Sequence, residues 1–356
     1  MKNSERYFGL DIIRALAILL VPTIHAFAYI PVVDNDLLSI KWCAYIALHY
    51  VALICVPLFM ILSGALMRGK RLSVKYYLGL LKIIIPYVII SIFAIAYKTA
   101  VNDSFPGVLS SIKSILNFTA VDYAWYVEMY IGLYLMIPFF NLIIAQIDKK
   151  GNQILLASLI LLTALPKFLW GFSSRLDVLP DWWSNIYPIT YYFLGAYLGE
   201  YKPKIKKGVA AIGLALSIAL PTALNYFHSA RDGRYAWYVM NAYDCLSTLM
   251  IAAFVWLLFA DIKGAPRPIR AVITEISVCS FEMYLFSYIA DGVLYRYADN
   301  IAVYASKLHI PIFFVMPALI IISSYAAARL IRFVSVPLSN LLHNGFVKVI
   351  CKANTK

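Results

Sequence analysis

The run FGLDIIRALAILLVPTIHAFAYI (Phe8–Ile30) carries three ionisable side chains, Asp11, Arg14 and His25, in an otherwise apolar stretch. A bilayer core about 30 Å thick is crossed by roughly 20 apolar residues in one helix. The run is too long for the apolar core of a secretion signal, and no small-residue cleavage site follows it. It is therefore expected to stay in the mature chain. Nine more apolar stretches follow, at approximately 42–67, 78–100, 123–146, 153–171, 184–200, 208–227, 238–260, 272–294 and 310–334. The sixth begins after Trp182 and Trp183, a pair suited to a membrane–water interface. Each run is continuous rather than alternating, which points to helices and away from a barrel. The expectation is an all-α polytopic membrane protein of about ten transmembrane helices in one bundle. It forms a single membrane-embedded domain over 1–356, with a short cytoplasmic tail at about 336–356.

Composition leads to the same place. Of the 356 residues, 62% are hydrophobic and 14% charged, against roughly 45–50% and 25% in soluble domains. Mean hydropathy is +0.77. These values exclude a disordered chain, a soluble globular enzyme, a collagen-like chain and a coiled coil. The net charge of +13 raises the question of nucleic acid, and its distribution answers it. With the N-terminus inside, 20 of the basic residues fall in inside segments and 9 in outside segments, with Arg14 and Lys82 within spans. Clusters at Arg68–Lys75, Lys202–Lys207 and Arg267–Arg270 carry most of the excess. That asymmetry is the cytoplasmic bias of membrane proteins. It predicts both termini in the cytoplasm and no nucleic-acid partner. No internal repeat is visible, which argues against many transporter folds.

An ionisable group inside a membrane costs at least about 2.5–3.5 kcal/mol, so each one asks for a reason. Arg14 and His25 are eleven residues apart, close to three helical turns. Both therefore project from one face, about 16.5 Å apart along the axis. Asp11 lies one turn before Arg14 and is placed to pair with it. Two readings stand at this point. Arg14 and His25 form a functional stripe, or the Asp–Arg pair snorkels at the interface and His25 bonds a neighbouring helix. Glu128, in DYAWYVEMYIGLYLMIP, enters its helix from the outer side at a depth similar to His25. It either orients an imidazole or faces an outer vestibule. Ser63 is a pocket candidate and Gly64 a packing residue. His49, Asp244, Glu282 and Asp291 read as structural, and Lys82 is expected to point to the cytoplasmic surface. The five histidines, His25, His49, His228, His309 and His343, show no metal-ligand spacing, and no metal site is expected. The chain has no phosphate-binding glycine loop and no GxSxG elbow. Its five cysteines lack CxxC spacing and read as inert thiols.

Several segments together resemble the acyltransferase-3 family of integral membrane acyltransferases, over most of the chain. LDIIRALAILLVPTIH (Leu10–His25) resembles the first-helix signature. VPLFMILSGALM (Val56–Met67) is similar to the second-helix P-x-F-x-x-S-G pattern. KYYLGLLKIIIPY (Lys75–Tyr87) resembles the basic entry to helix three, and AWYVEMYIGLYLMIP (Ala124–Pro138) the W-[FY] segment ending in Pro. YFLGAYLGEY (Tyr192–Tyr201) and SFEMYLFSY (Ser280–Tyr288) are similar to its sixth-helix and late segments. Ser287 stands where the late segment often has His, and Tyr123 where some members have a His before the Trp.

The resemblance implies a membrane O-acyltransferase of a bacterial inner or plasma membrane. It implies transfer of an acyl group, usually acetyl, from cytoplasmic acyl-CoA. The acceptor would be a hydroxyl of a cell-envelope glycan or of its lipid-linked precursor. Carried over position by position, it marks Arg14 and His25, with Ser63, Gly64, Trp125 and Tyr126 lining the pocket. The residues suit that chemistry: His25 as general base, with Glu128 orienting it, and Arg14 matching a CoA phosphate. Direct transfer is favoured over an acyl-enzyme. The expected partners are the bilayer, the acyl-CoA donor and the carbohydrate acceptor, and the sequence is compatible with a monomer or a homodimer. The rival from another class is a transporter of polysaccharide or lipid-linked sugar, which ten helices with intramembrane charges would suit equally.

Overall fold

The computed structural model describes residues 7–30, 39–172, 179, 181–307 and 311–353. Lys2, Arg6, Arg175, His309 and Lys356, used above, lie outside them. The helices are α1 Phe8–Tyr29, α2 Ile40–Ala52, α3 Cys55–Met67, α4 Val74–Tyr77, α5 Leu81–Asn102, α6 Val108–Leu116, α7 Trp125–Gln146 and α8 Lys149–Thr163. Then come α9 Leu165–Trp170, α10 Tyr187–Tyr201, α11 Lys207–Asp232, α12 Leu246–Phe259, α13 Arg267–Leu294, α14 Ala298–Lys307 and α15 Ile312–Ala353. No strand occurs among the described residues. The protein is an all-α polytopic membrane protein. Among the described residues, seven segments are long and apolar enough to cross a bilayer, and α12 is a shorter apolar helix; the ten spans expected are not confirmed by them. Where the sequence suggested a tail from about 336, α15 continues as helix to Ala353.

The chain groups into two compact units. One comprises Met1–Arg68 and Ile143–Ser277, the other Gly69–Leu142 and Val278–Lys356. In the first, α3 lies along α10, and α1 packs on α3 and α12. The α3–α10 approach is set by two glycines. A Cβ at Gly64 would strike the carbonyl oxygen of Tyr192, and one at Gly195 would strike that of Ile61. Backbone meets backbone at both places, so neither helix can yield by turning a side chain. Close approach through small residues is the means by which apolar helices associate in lipid. Gly64→Ala is therefore expected to destabilise by about 1–3 kcal/mol, the usual cost of overpacking. A lowered thermal midpoint of the detergent-solubilised protein would show it, and an unchanged midpoint would contradict the packing.

The largest departure from the expected spans lies between α11 and α12. Residues 238–245 were read as the start of a helix but are irregular, and α12 begins only at Leu246. Asn241 and Asp244 are turn-favouring side chains that a hydropathy average does not register. Irregular backbone within an apolar bundle must find hydrogen-bond partners. Here the neighbouring helices supply them. Tyr50 donates to the Val239 carbonyl at 2.6 Å and Tyr191 to that of Tyr243 at 2.7 Å. Asn225 Nδ2 donates to the Ala236 carbonyl at 3.0 Å, and Ala236 N–H donates to Ser229 Oγ at 2.9 Å. Lys167 meets Asp244 at 2.8 Å. His49 is buried beneath the same segment, with Nδ1 3.1 Å from the Tyr235 hydroxyl and its ring edge-on to Phe27, Tyr50 and Trp237.

In the second unit α5 runs along α15, and Tyr76 and Tyr134 lock α4 to α7. Their rings stack at 4.4 Å, and each hydroxyl donates to the other's carbonyl, at 2.6 and 2.8 Å.

Candidate active site

Asp11 stands in the first turn of α1, where the helix dipole favours a carboxylate, and it is buried. Its Oδ1 accepts a hydrogen bond from Ser277 Oγ of α13 at 2.7 Å. Arg14, one turn on, donates from Nη1 to the same Ser277 oxygen at 3.3 Å and stands 3.9 Å from Asp11 Oδ1. The expected Asp–Arg pair is present, and its Nη1–Oδ1 separation is longer than a hydrogen bond. The serine hydroxyl bridges it, taking one bond and giving another. Asp11 is 4% exposed in its side chain and Arg14 27%. A buried carboxylate thus stands beside an arginine whose side chain is part-exposed.

His25 lies three turns further along α1 and is half-buried. Pro22 sits between the two, inside the helix. It offers no N–H to the Ile18 carbonyl, so the backbone ladder is interrupted one turn before the histidine. Just beyond His25, the Phe27 ring meets His49 edge-on at 5.0 Å. Ser63 is half-buried in α3 and donates to the Phe59 carbonyl of its own helix at 2.8 Å. Its hydroxyl proton is engaged there, while the oxygen retains acceptor capacity. Gly64, one residue on, has its space filled by the α10 backbone, so its role is packing.

Trp125, Tyr126 and Glu128 lie in the first turn of α7, in the second unit. Glu128 and Trp125 are exposed and Tyr126 is buried. The Tyr126 ring lies between Tyr130, stacked at 5.9 Å, and Tyr284 of α13 at 5.4 Å. The two positions where the resemblance leads one to look for imidazoles hold hydroxyls. Tyr123 donates to Asp291 Oδ2 at 2.6 Å, and Ser287 donates to the Tyr284 carbonyl at 2.7 Å. Asp291 is fully buried, so the tyrosine hydroxyl offsets part of the cost of its carboxyl. Asp244 and Glu282 are likewise in ion pairs, with Lys167 and Arg332. Lys82 is exposed.

A family model described as an acyltransferase domain, Acyl_transf_3, matches residues 7–332. The chain belongs to the acyltransferase-3 family. No curated protein and no solved structure matches it. The match begins one residue before α1 and ends at Arg332 within α15, so it takes in every residue discussed above. The protein is thus a multi-pass membrane acyltransferase.

Sequence reasoning missed Ser277. The signal was faint: it lies one helical turn ahead of the SFEMYLFSY segment, on a helix whose approach to α1 no local pattern announces.

Proposed function

We propose that this acyltransferase moves an acyl group, acetyl first among them, from cytoplasmic acyl-CoA to a hydroxyl of a cell-envelope glycan or its lipid-linked precursor. The observation that carries the reading is Arg14, held by the buried Asp11 and Ser277 with its side chain 27% exposed, three turns from His25 on one helix. Arg14 takes a phosphate of the donor, which a planar guanidinium fits well. His25 removes the acceptor's hydroxyl proton as its oxygen attacks the thioester carbon. The C–S bond then breaks, and the departing thiolate recovers a proton. On the sequence reading alone, Glu128 is proposed to orient and charge-stabilise the imidazole, and Ser63, Trp125 and Tyr126 to line the pocket. The donor is a substrate, and no metal enters the reaction. Both termini are taken as cytoplasmic on the 20-to-9 split of basic residues that ten crossings give, in a bacterial inner or plasma membrane, as a monomer or a homodimer.

Mass spectrometry of envelope glycans from cells with and without the gene tests this reading. Loss of an acyl ester from one glycan supports it, and an unchanged ester profile contradicts it. Ser277 enters as a positioning residue. A hydrogen bond to a charged group contributes about 1.5 kcal/mol or more, roughly tenfold in an equilibrium. Ser277→Ala is expected to raise KM for acyl-CoA about tenfold with kcat nearly unchanged, and Ser277→Thr to restore it. A loss confined to kcat would remove Ser277 from donor positioning.

A further inference from the structure

A cavity of about 240 Å³ lies in the second unit between α5 and α15, lined by Lys82, Glu282, Arg332, Ser335, Ser339 and Asn340, with Pro86 and Val336. At about 30 Å³ per liquid water it has room for roughly eight waters. Its chemistry is that of a site for a tetrahedral anion. Glu282, almost fully buried, accepts from Arg332 Nη1 with both carboxylate oxygens, at 3.0 and 3.1 Å. Both bonds come from one nitrogen, so the carboxylate fixes the plane of the guanidinium without using the whole fork. Arg332 neutralises Glu282, and Lys82 leaves the cavity with one net positive charge.

Ser335 is the second observation. It is 0% exposed, yet its Oγ has no hydrogen-bond partner among the described residues. A helical serine commonly returns its proton to the carbonyl four residues back. Ser339, in the same wall, does so to the Ser335 carbonyl at 2.7 Å. Ser335 does not, and a buried hydroxyl left unpaired is costly. A ligand oxygen in the cavity would satisfy it.

The surroundings select the ligand. Val336 lines the cavity and is itself part-exposed, and on the same helix Leu330, Phe333 and Leu341 are 74%, 84% and 70% exposed. This apolar face belongs to a segment long enough to span a bilayer, so acyl chains can lie along it while a headgroup enters the cavity. At the mouth of α5, Lys70, Arg71 and Lys75 are all exposed, and such basic clusters beside a span attract anionic lipid.

We propose that this cavity binds the phosphate of an anionic phospholipid, with Lys82, Arg332 and Ser335 as its donors and the lipid tails along α15. None of its lining residues is among the donor and acceptor positions assigned above. The test uses the purified full chain, delipidated and then offered phosphatidylglycerol or phosphatidylcholine, with bound lipid counted by native mass spectrometry. Removing one basic contact near a membrane surface reduces binding about fivefold. Lys82→Ala is expected to lower retained phosphatidylglycerol by that factor and to leave phosphatidylcholine unchanged. Ser335→Ala, which has no partner in the fold to lose, is expected to lower it about threefold, a net hydrogen bond's worth. Lys113→Ala, the same charge change on exposed α6, should have no effect. Equal retention by wild type and Lys82→Ala overturns the proposal, and so does an equal loss in Lys113→Ala. Displacement of the lipid by stoichiometric coenzyme A would assign the phosphate to a soluble ligand and overturn the lipid as its source.

Discussion

His25→Ala is expected to abolish acyl transfer while leaving donor binding largely intact. An alcohol oxygen attacks a thioester effectively only as it loses its proton, and a positioned base supplies about 10²–10⁴-fold in rate. Imidazole is the side chain whose ordinary pKa, about 6.5, lets it accept that proton near neutrality. His25 is half-buried in α1, three turns from Arg14. The loss of kcat should be at least about 10²-fold, with acyl-CoA still retained by the purified variant. Glu128→Gln should cost less, because it removes orientation and charge but leaves the base. Transfer at the wild-type rate by His25→Ala would return His25 to a packing role and require another base.

Arg14→Ala is expected to act on the other substrate. Truncating one partner of a buried, hydrogen-bonded charge pair costs about 2–5 kcal/mol, so acyl-CoA affinity should fall by roughly 30-fold or more. Part of that cost is local. Asp11 would keep its bond from Ser277 but lose the compensating positive charge. Two companions separate binding from folding. Arg14→Lys keeps the charge and loses the planar fork, so its affinity should be intermediate. Asp11→Asn with Arg14→Ala removes the uncompensated carboxylate. The double variant should recover thermal stability without recovering affinity. Unchanged acyl-CoA affinity in a folded Arg14→Ala protein would leave the Asp11–Ser277–Arg14 knot as a structural device only.

Much of this was legible in the sequence because membrane helices are written locally. Continuous apolar runs gave the helical class and most helix positions. The one-turn spacing of Asp11 and Arg14 gave their proximity. Three features were not legible, each for a physical reason. Ser277 bridges a pair 263 and 266 residues away in the chain, which no periodicity encodes. The α3–α10 contact depends on which backbone carbonyl faces Gly64, and a glycine alone does not announce its partner. The irregular segment before α12 holds Asn241 and Asp244 among apolar residues, and an average over a whole span passes over them. What breaks it is side-chain competition for backbone groups, and what makes it tolerable is Tyr50, Tyr191 and Asn225 on other helices.

Transfer of radiolabel from acyl-CoA by the purified protein tests the central claim most directly. Detergent-solubilised wild type, given [acetyl-¹⁴C]acetyl-CoA and an extract of envelope glycans or their lipid-linked precursors, should place label in an alkali-labile ester on the acceptor and release free coenzyme A in equal amount. His25→Ala, purified alongside and folded, should do neither. Reconstituted wild type that carries glycan or lipid-linked sugar across vesicles while leaving the thioester intact would contradict the account.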